Sequence, residues 1–511
     1  MASRRDELNA YTFAKKRLVA QFLQPSPSGT EEGAPRPLRA VVPGAVIGVV
    51  IMAGFGAWGM FQPSAPKGWD EAKAQVLIGS KSTTRYVVLM TDGKKQLHPV
   101  LNYASARLLL DEQNGEKITK VDEKVLDSGK VPHGATLGIP YAPDRLPDEK
   151  QASAPKRWAV CEKAGQGGRS SQKAAFVFGE REMKKVEGPN KLRGGQLSYV
   201  QSTDNTQYIV DGKGTKYPLA EDPDLVRSLA GDNEPQRVSQ QWLNTLHTGE
   251  EIRFPDVSGT TGAQSSAQGT TPDGQRLKVG MVLQARNGSY MQKYVVTQNS
   301  VMPVTDFMAQ LLLDRPQAVK LGQGSKATDV SLSAIHPTPE WFGGNVFRTK
   351  WPQKSPYVVN SASPNSGRNT TCNVLRHVDG KGNTTLSTWV GKSYPATLPA
   401  GSTSAYVTPG SGQLFRQIQG TDTKSGGVFL TTDNGLRYAM QSNSDATGED
   451  AGIGSGGDEK AKKQQAQEGQ QAQIRLGYKG VKPAPIPYTW AQYLPTGPRM
   501  STADARQPQG S

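Results

Sequence analysis

"RYVVLMTDGKKQLHPVLNYASARLLL", Arg85 to Leu110, reads as one small folding unit. It opens on an aromatic-led, β-branched run and turns at Asp92-Gly93, a dipeptide that supplies the positive φ of a tight hairpin. Leu97-His98-Pro99-Val100 is the return, and Ala104 to Leu110 then reads as a short helix. Weaker versions come back as "QYIVDGKGTKYPL" (Gln207 to Leu219), "KYVVTQNSVMPV" (Lys293 to Val304) and "VFLTTDNGLRYAM" (Val428 to Met440). Their leads are Tyr86, Tyr208, Tyr294 and Phe429, and each carries Asp-Gly, Asn-Ser or Asn-Gly in its turn. Helices are predicted again at Asp224 to Leu229 and Phe307 to Leu313. Uneven spacing between the leads excludes a strict-period solenoid.

The first and third gaps between leads are the long ones, and they hold the only cysteines, Cys161 and Cys372. Both inserts contain β-prone runs: "RWAVC", "AAFVFG", "YVVN" and "TLSTWV". The fold class expected is therefore a β-rich α+β body of four hairpin-helix repeats around a central β core built from two distant pieces. The cysteines can pair if their side of the membrane is oxidising, and such a bond would staple the pieces with a gain of about 3–5 kcal/mol. Two unrelated buried thiols is the alternative.

This divides the chain as follows. Residues 62–148 form the first repeat and 201–256 the second. A Ser/Thr/Gly-rich flexible linker, 257–275, leads to the third, 276–340. The fourth, 420–500, is interrupted by a low-complexity insert at 441–473. Segments 149–200 and 341–419 form the centre, and 501–511 is a disordered tail.

One stretch sets the compartment. Val41 to Phe61, "VVPGAVIGVVIMAGFGAWGMF", contains no charge. As a helix it spans about 30 Å, the thickness of a bilayer's hydrocarbon core. Pro43 sits in its first turn, Trp58 lies at interface depth, and Gly44 and Gly48 form a small-xxx-small pair. A cleavable signal peptide is the rival reading, but residues 1–40 are too long for its leader. Arg4, Arg5, Lys15, Lys16, Arg17, Arg36 and Arg39 precede the span, against Lys67, Lys73 and Lys81 soon after it. That balance places the N-terminus in the cytoplasm and the bulk outside. Leu8, Tyr11, Ala14, Leu18 and Phe22 share one helical face, with Lys15-Lys16-Arg17 mostly on the other. This helix can lie on the inner leaflet or dock on a cytoplasmic partner. Pro25 to Pro37 is a flexible linker to the membrane.

The 511 residues exceed one ordinary core, and 35% hydrophobic content with 56 Gly and 35 Pro implies many turns. The net charge is +15. No Lys/Arg run interleaves with aromatics, which argues against nucleic acid. No local signature of common chemistry occurs. Gly391-Lys392-Ser393 has Leu386 where a phosphate-binding loop needs glycine, and reads as a strand-end turn. His98, His133, His247, His336 and His377 are scattered without metal spacing. No catalytic, cofactor or metal residue is assigned.

Taken together, "RRDELNAYTFAKKRLVAQFL", Pro37 to Arg39, "LHPVLNYASARLLL", "GIPYAPDRLP" and the two distant cysteines resemble the EccB family, single-span core components of type VII (ESX) secretion systems. The resemblance covers nearly the whole chain, although Ser82 to Arg85 and "QPSAPKGW" depart from the family pattern. It implies a plasma-membrane protein with one span and four repeats around a disulfide-linked extracytoplasmic core. It also implies homo- and hetero-oligomers with the EccC motor ATPase, EccD, EccE and a mycosin protease, and repeats that resemble cell-wall-binding modules. Some members carry the label ATPase, for which no phosphate-binding motif is present here. The expected role is to anchor and brace a secretion channel. ATP hydrolysis and cell-wall binding are the alternatives.

Overall fold

The computed structural model describes residues 3–23, 38–61, 65–91, 93–111, 117–165, 171–344, 350–362, 367–399, 404–440 and 471–509. The linker Pro25 to Pro37, the turn residue Asp92 and most of the 441–473 insert lie outside the described residues. The chain forms two compact units: Met1–Trp69 with Val121–Lys130, and Asp70–Lys120 with Val131–Ser511.

The first unit contains helices Arg4–Leu23 and Leu38–Phe61. The second of these begins earlier than expected, so Pro43 falls in its second turn rather than its first. The missing proline N–H there leaves the carbonyl four residues back without its helical donor. Ala40–Trp58 has a mean hydropathy of 2.2 and none of it is buried inside the protein. On Arg4–Leu23, Leu8, Tyr11, Leu18 and Phe22 are all exposed. At about 100° per residue Lys15 falls within their stripe, not opposite it. The apolar face is thus broken by a charge whose long stem can reach aside.

The second unit is α+β, with five sheets among the described residues. In the first, Val76–Gly79, Arg85–Thr91 and Lys94–Val100 form a meander, and Ile118–Val121 adds beside Val76–Gly79. Helix Tyr103–Leu109 follows the meander, capped by Asn102, whose side chain accepts from the Ser105 N–H at 2.9 Å. In the second sheet the meander is Gln196–Gln201, Gln207–Val210 and Thr215–Pro218, followed by helix Pro223–Ala230. Gln236–Arg237 then pairs in parallel with Gln196–Gln201. In the third it is Val282–Asn287, Tyr290–Val296 and Val301–Val304, then helix Asp306–Asp314 and a parallel strand, Thr328–Asp329. In the fourth it is Gln413–Ile418, Val428–Thr431 and Arg437–Ala439, with Ala484–Pro487 returning parallel to the first strand. Gly93 and Gly435 take φ of +75° and +82° in their turns. In the Asp211 turn the left-handed residue is Gly214, not the Gly212 that follows the aspartate.

The fifth sheet is the centre, in the order Thr384–Gly391, Thr370–Val378, Arg157–Lys163, Gln172–Phe178, Ala405–Val407. Two hairpins from distant parts of the chain join where Arg157–Lys163 pairs with Thr370–Val378. Both faces are covered. Trp158, Val160, Ala175, Val177 and Leu375 face one core, and Ala159, Cys161, Phe176, Phe178, Cys372 and Val374 face another. The centre draws on less of the chain than expected. Gln196–Gln201 and Gln413–Ile418 open the second and fourth sheets, and the "YVVN" run enters the second sheet as Tyr357–Val358. Gln196–Gln201 and Gln413–Ile418 lack an aromatic lead, so only their pairing reveals them.

The first and fourth sheets share one apolar core with their helices, including Leu108, Leu109, Leu414, Leu430 and Leu476. The second and third share another, including Leu225, Leu229, Phe307, Leu311 and Leu312.

Two segments are more ordered than their composition implied. Residues 257–275 are bonded along their length: Ser265 N–H to the Leu277 carbonyl, Ser266 N–H to that of Gln298, and Gly269 bridged to Ile335. The tail also docks. Met500 and Ala505 are buried around helix Thr502–Ala505, and the Gln509 N–H donates to the Thr136 carbonyl at 2.8 Å. Small polar residues conceal this because both their backbone groups and their short side chains, such as Ser265 Oγ to the Thr297 carbonyl at 2.8 Å, make bonds that composition does not reveal. The insert's last residues likewise belong to a helix, 471–475, with Ala472 buried.

Candidate functional site

Two distant parts of the chain meet at the centre of the fifth sheet. Cys161 stands directly opposite Cys372 in the antiparallel register, with Cα atoms 4.0 Å apart, and the two are disulfide-bonded across 211 positions of sequence. Both are fully buried. Around the bond lie Phe176, Phe178 and Trp389, an apolar surround that excludes water and reductants.

Next to Cys161, Glu162 is fully buried on the opposite face. Its carboxylate accepts from Ser171 Oγ at 2.7 Å, from the Ser239 N–H at 3.0 Å and from Ser239 Oγ. Its carbonyl accepts from Gln236 Nε2 at 2.8 Å. Ser239 also caps the short helix Gln240–Leu243, which drives Trp242 onto the sheet, where its indole donates to the Val160 carbonyl at 3.0 Å. Asn373 Nδ2 donates to the Thr245 carbonyl at 2.7 Å, and Lys216 Nζ to that of Leu243 at 2.9 Å. Burial holds the Lys216 amine below its ordinary range. The second sheet is therefore fixed to the centre by hydrogen bonds buried with their partners, which orient it as apolar packing alone would not.

The fourth sheet is fixed by a different contact. Trp158 Nε1 donates to Gln413 Oε1 at 2.8 Å, and the Trp158 ring meets Phe415 edge-on at 5.3 Å. At the flank, Glu187 accepts from Lys191 at 2.9 Å and from Arg376. Burial opposes its charge, but those two cations outweigh it and hold the carboxyl below its usual range.

The centre holds two of the residues singled out in the sequence, Cys161 and Cys372. The rest, Val41, Gly44, Gly48, Trp58 and Phe61, lie along helix Leu38–Phe61. A Cβ added at Gly44 or Gly48 would meet nothing within 4 Å. Glu162, Trp158, Ser239 and Trp242 were not foreseen. Ser239 three positions before Trp242 is a cap signal that could have marked the helix, but nothing local marks Glu162 as buried.

Gly391 closes a strand and Lys392 and Ser393 are exposed in the bend after it, with no helix in residues 394–399 to receive a phosphate. His98 is buried between the Thr91 hydroxyl at 3.1 Å and the Ala135 carbonyl at 2.8 Å, fastening the first hairpin to the segment beyond it. His247 bonds Thr384 at 2.7 Å. Among the described residues no group of three or more His, Cys, Asp or Glu is placed to hold a metal ion.

The family model described as "Type VII secretion system ESX-1, transport TM domain B", EccB, matches residues 1–510. The chain belongs to the EccB family. An EccB3 of Mycolicibacterium smegmatis, named an ESX-3 secretion system ATPase, is 24% identical over 91% of this chain and 83% of its own length. An EccB1 from the same species, named an ESX-1 secretion system ATPase, is 28% identical over 54% of each chain, about half the length of that relative. Among solved structures, a chain of an intact ESX-5 inner membrane complex superposes with a TM-score of 0.53 at 19% identity, covering 100% of this chain and 96% of that one. An EccB3 dimer from an ESX-3 core complex gives 0.51 at 20% identity, covering 84% and 99%. At these identities the likeness shows that the EccB fold is shared.

Proposed function

We propose that this EccB chain is a structural membrane component of a type VII secretion complex, anchoring and bracing the channel. The observation that carries this reading is the match of one EccB family model to residues 1–510, a stretch that takes in both the apolar helix and the stapled body. Helix Leu38–Phe61 is uncharged beyond Arg39 and long enough to cross a bilayer, and its Ala40–Trp58 stretch is unburied. It anchors the protein with the N-terminal helix in the cytoplasm and the α+β unit outside. A disulfide in the α+β unit supports that topology, because such bonds persist in oxidising compartments.

In this reading the four outer sheets are copies of one module: a three-stranded meander, a helix, and a strand returned beside the first. They associate in pairs, first with fourth and second with third, about the central sheet. The complex is a homo- and hetero-oligomer whose partners, by family likeness, are the EccC motor, EccD, EccE and a mycosin protease. The outer modules face the envelope, where they can touch cell wall.

Deleting residues 1–40 tests the scaffold role. Complex assembly and secretion should fall together, and unchanged assembly and secretion would refute it. The relatives' name of ATPase gives a second reading. ATP turnover by the protein that is abolished by Lys392→Ala would favour that reading, whereas no turnover above background favours the scaffold.

A further inference from the structure

The first sheet and the docked tail enclose a cleft of about 480 Å³. Its apolar floor is Leu89, Leu109 and Leu137, and Lys73, Gln96 and Arg506 stand at its polar side. No carboxylate lines it among the described residues. Among the described residues Lys73 Nζ pairs with Asp111 at 4.0 Å, outside the lining, an exposed pair too weak to occupy the ammonium.

Lys73 is held in a conformation that residues other than glycine seldom adopt, with φ of +54°. Its N–H donates to the Val88 carbonyl at 2.8 Å, and its own carbonyl accepts from the Asp111 N–H at 3.3 Å. The backbone is therefore pinned on both sides, so the side chain is directed by the sheet and not chosen by the loop. Strain of this kind gathers at ligand clamps. Arg506 comes from the far end of the chain, carried by the strap that bonds Gln509 to Thr136 and Gly138.

We propose that this cleft binds a small apolar carboxylate, its acid held by Lys73 and Arg506 and its hydrocarbon on the leucine floor. A cleft of this volume, mostly apolar with a few convergent polar groups, is the usual form of a small-ligand site. The ligand is either the carboxyl end of a peptide or a short acyl acid.

The test uses the full chain in lipid nanodiscs, with ligand-observed saturation-transfer NMR and three probes: N-acetyl-leucine, hexanoate and the uncharged N-acetyl-leucinamide. We expect saturable binding of at least one acid. The amide should bind about tenfold more weakly or worse, and Lys73→Gln and Arg506→Gln should each weaken the acid by a similar factor. Arg506 is exposed on the strap, so its variant retains the thermal midpoint and separates binding from folding. Tighter N-acetyl-leucine marks a peptide end as the source, and tighter hexanoate an acyl acid. Binding of the amide equal to the acids, affinity unchanged in both variants, or no saturable binding of any probe would overturn the proposal.

Discussion

Strands Arg157–Lys163 and Tyr290–Val296 are both seven residues long, yet they solve different problems. The first is buried along nearly its whole length and pairs on one side with Thr370–Val378, where Cys372 lies 211 positions from Cys161. The second is exposed at its first two residues, with Tyr290 at 57% and Met291 at 44%, and both its neighbours are the next strands along the chain. Local meanders of the outer kind close short loops and cost little chain entropy. The central pairing closes a loop of hundreds of residues and gives nothing back until both hairpins are present. A covalent staple lies across that long closure.

That contrast can be broken by substitution. Trp158→Ala removes the indole between the centre and Phe415 and leaves Gln413 without its buried donor. It should cost about 3–5 kcal/mol in urea unfolding of the full chain. A loss below about 1 kcal/mol would mean the centre does not hold the fourth sheet. Replacing both Cys161 and Cys372 by alanine should cost about 2–5 kcal/mol and lower the unfolding midpoint, while the first sheet's helix content persists by circular dichroism. Simultaneous collapse of everything would show that the outer sheets are not locally stable.

Smaller effects sharpen the local side. Asn102→Ala deletes the cap of Tyr103–Leu109 and the bond from Asn102 Nδ2 to the Ile139 carbonyl, 2.7 Å long. It should cost about 1–2 kcal/mol, confined by hydrogen exchange to residues 97–142. The last effect is read against pH and concerns Lys156, in the segment joining the first sheet to the centre. Burial pushes its amine down to about 8, against the raising influence of Asp148 and Glu180. The folded state therefore releases a proton that the unfolded chain keeps up to about 10.5. Between those values the unfolded state binds more protons, so this group's contribution makes stability rise with pH. Lys156→Met should flatten the rise. An unchanged slope from pH 8 to 10.5 would contradict the burial of the amine.

The sequence made the local features legible and the non-local ones less so. Tyr86, Tyr208 and Tyr294 marked real strands, and the three predicted helices lie within one residue of their observed ends, because turn chemistry and apolar spacing are written in neighbouring residues. Cys161 and Cys372 hinted at the centre because two cysteines have one partner each to choose. Val76–Gly79 and Gln413–Ile418 were invisible, since a short buried strand resembles any apolar run until its partner is known. Glu162 was invisible for a related reason. A glutamate reads as surface until Ser171 and Ser239 arrive to bond it. Residues 257–275 and the tail misled through composition, because serine, threonine and glycine bond through backbone as readily as they form loose linkers.

In the proposed topology one apolar helix carries the stapled body across the membrane. Intact cells treated with a membrane-impermeant maleimide, then lysed under denaturing conditions with and without reductant, test it most directly. The proposed topology predicts no labelling of Cys161 or Cys372 before reduction, full labelling after it, and cleavage of the 70–511 region by external protease. Free thiols before reduction, together with a body protected from that protease, would contradict it.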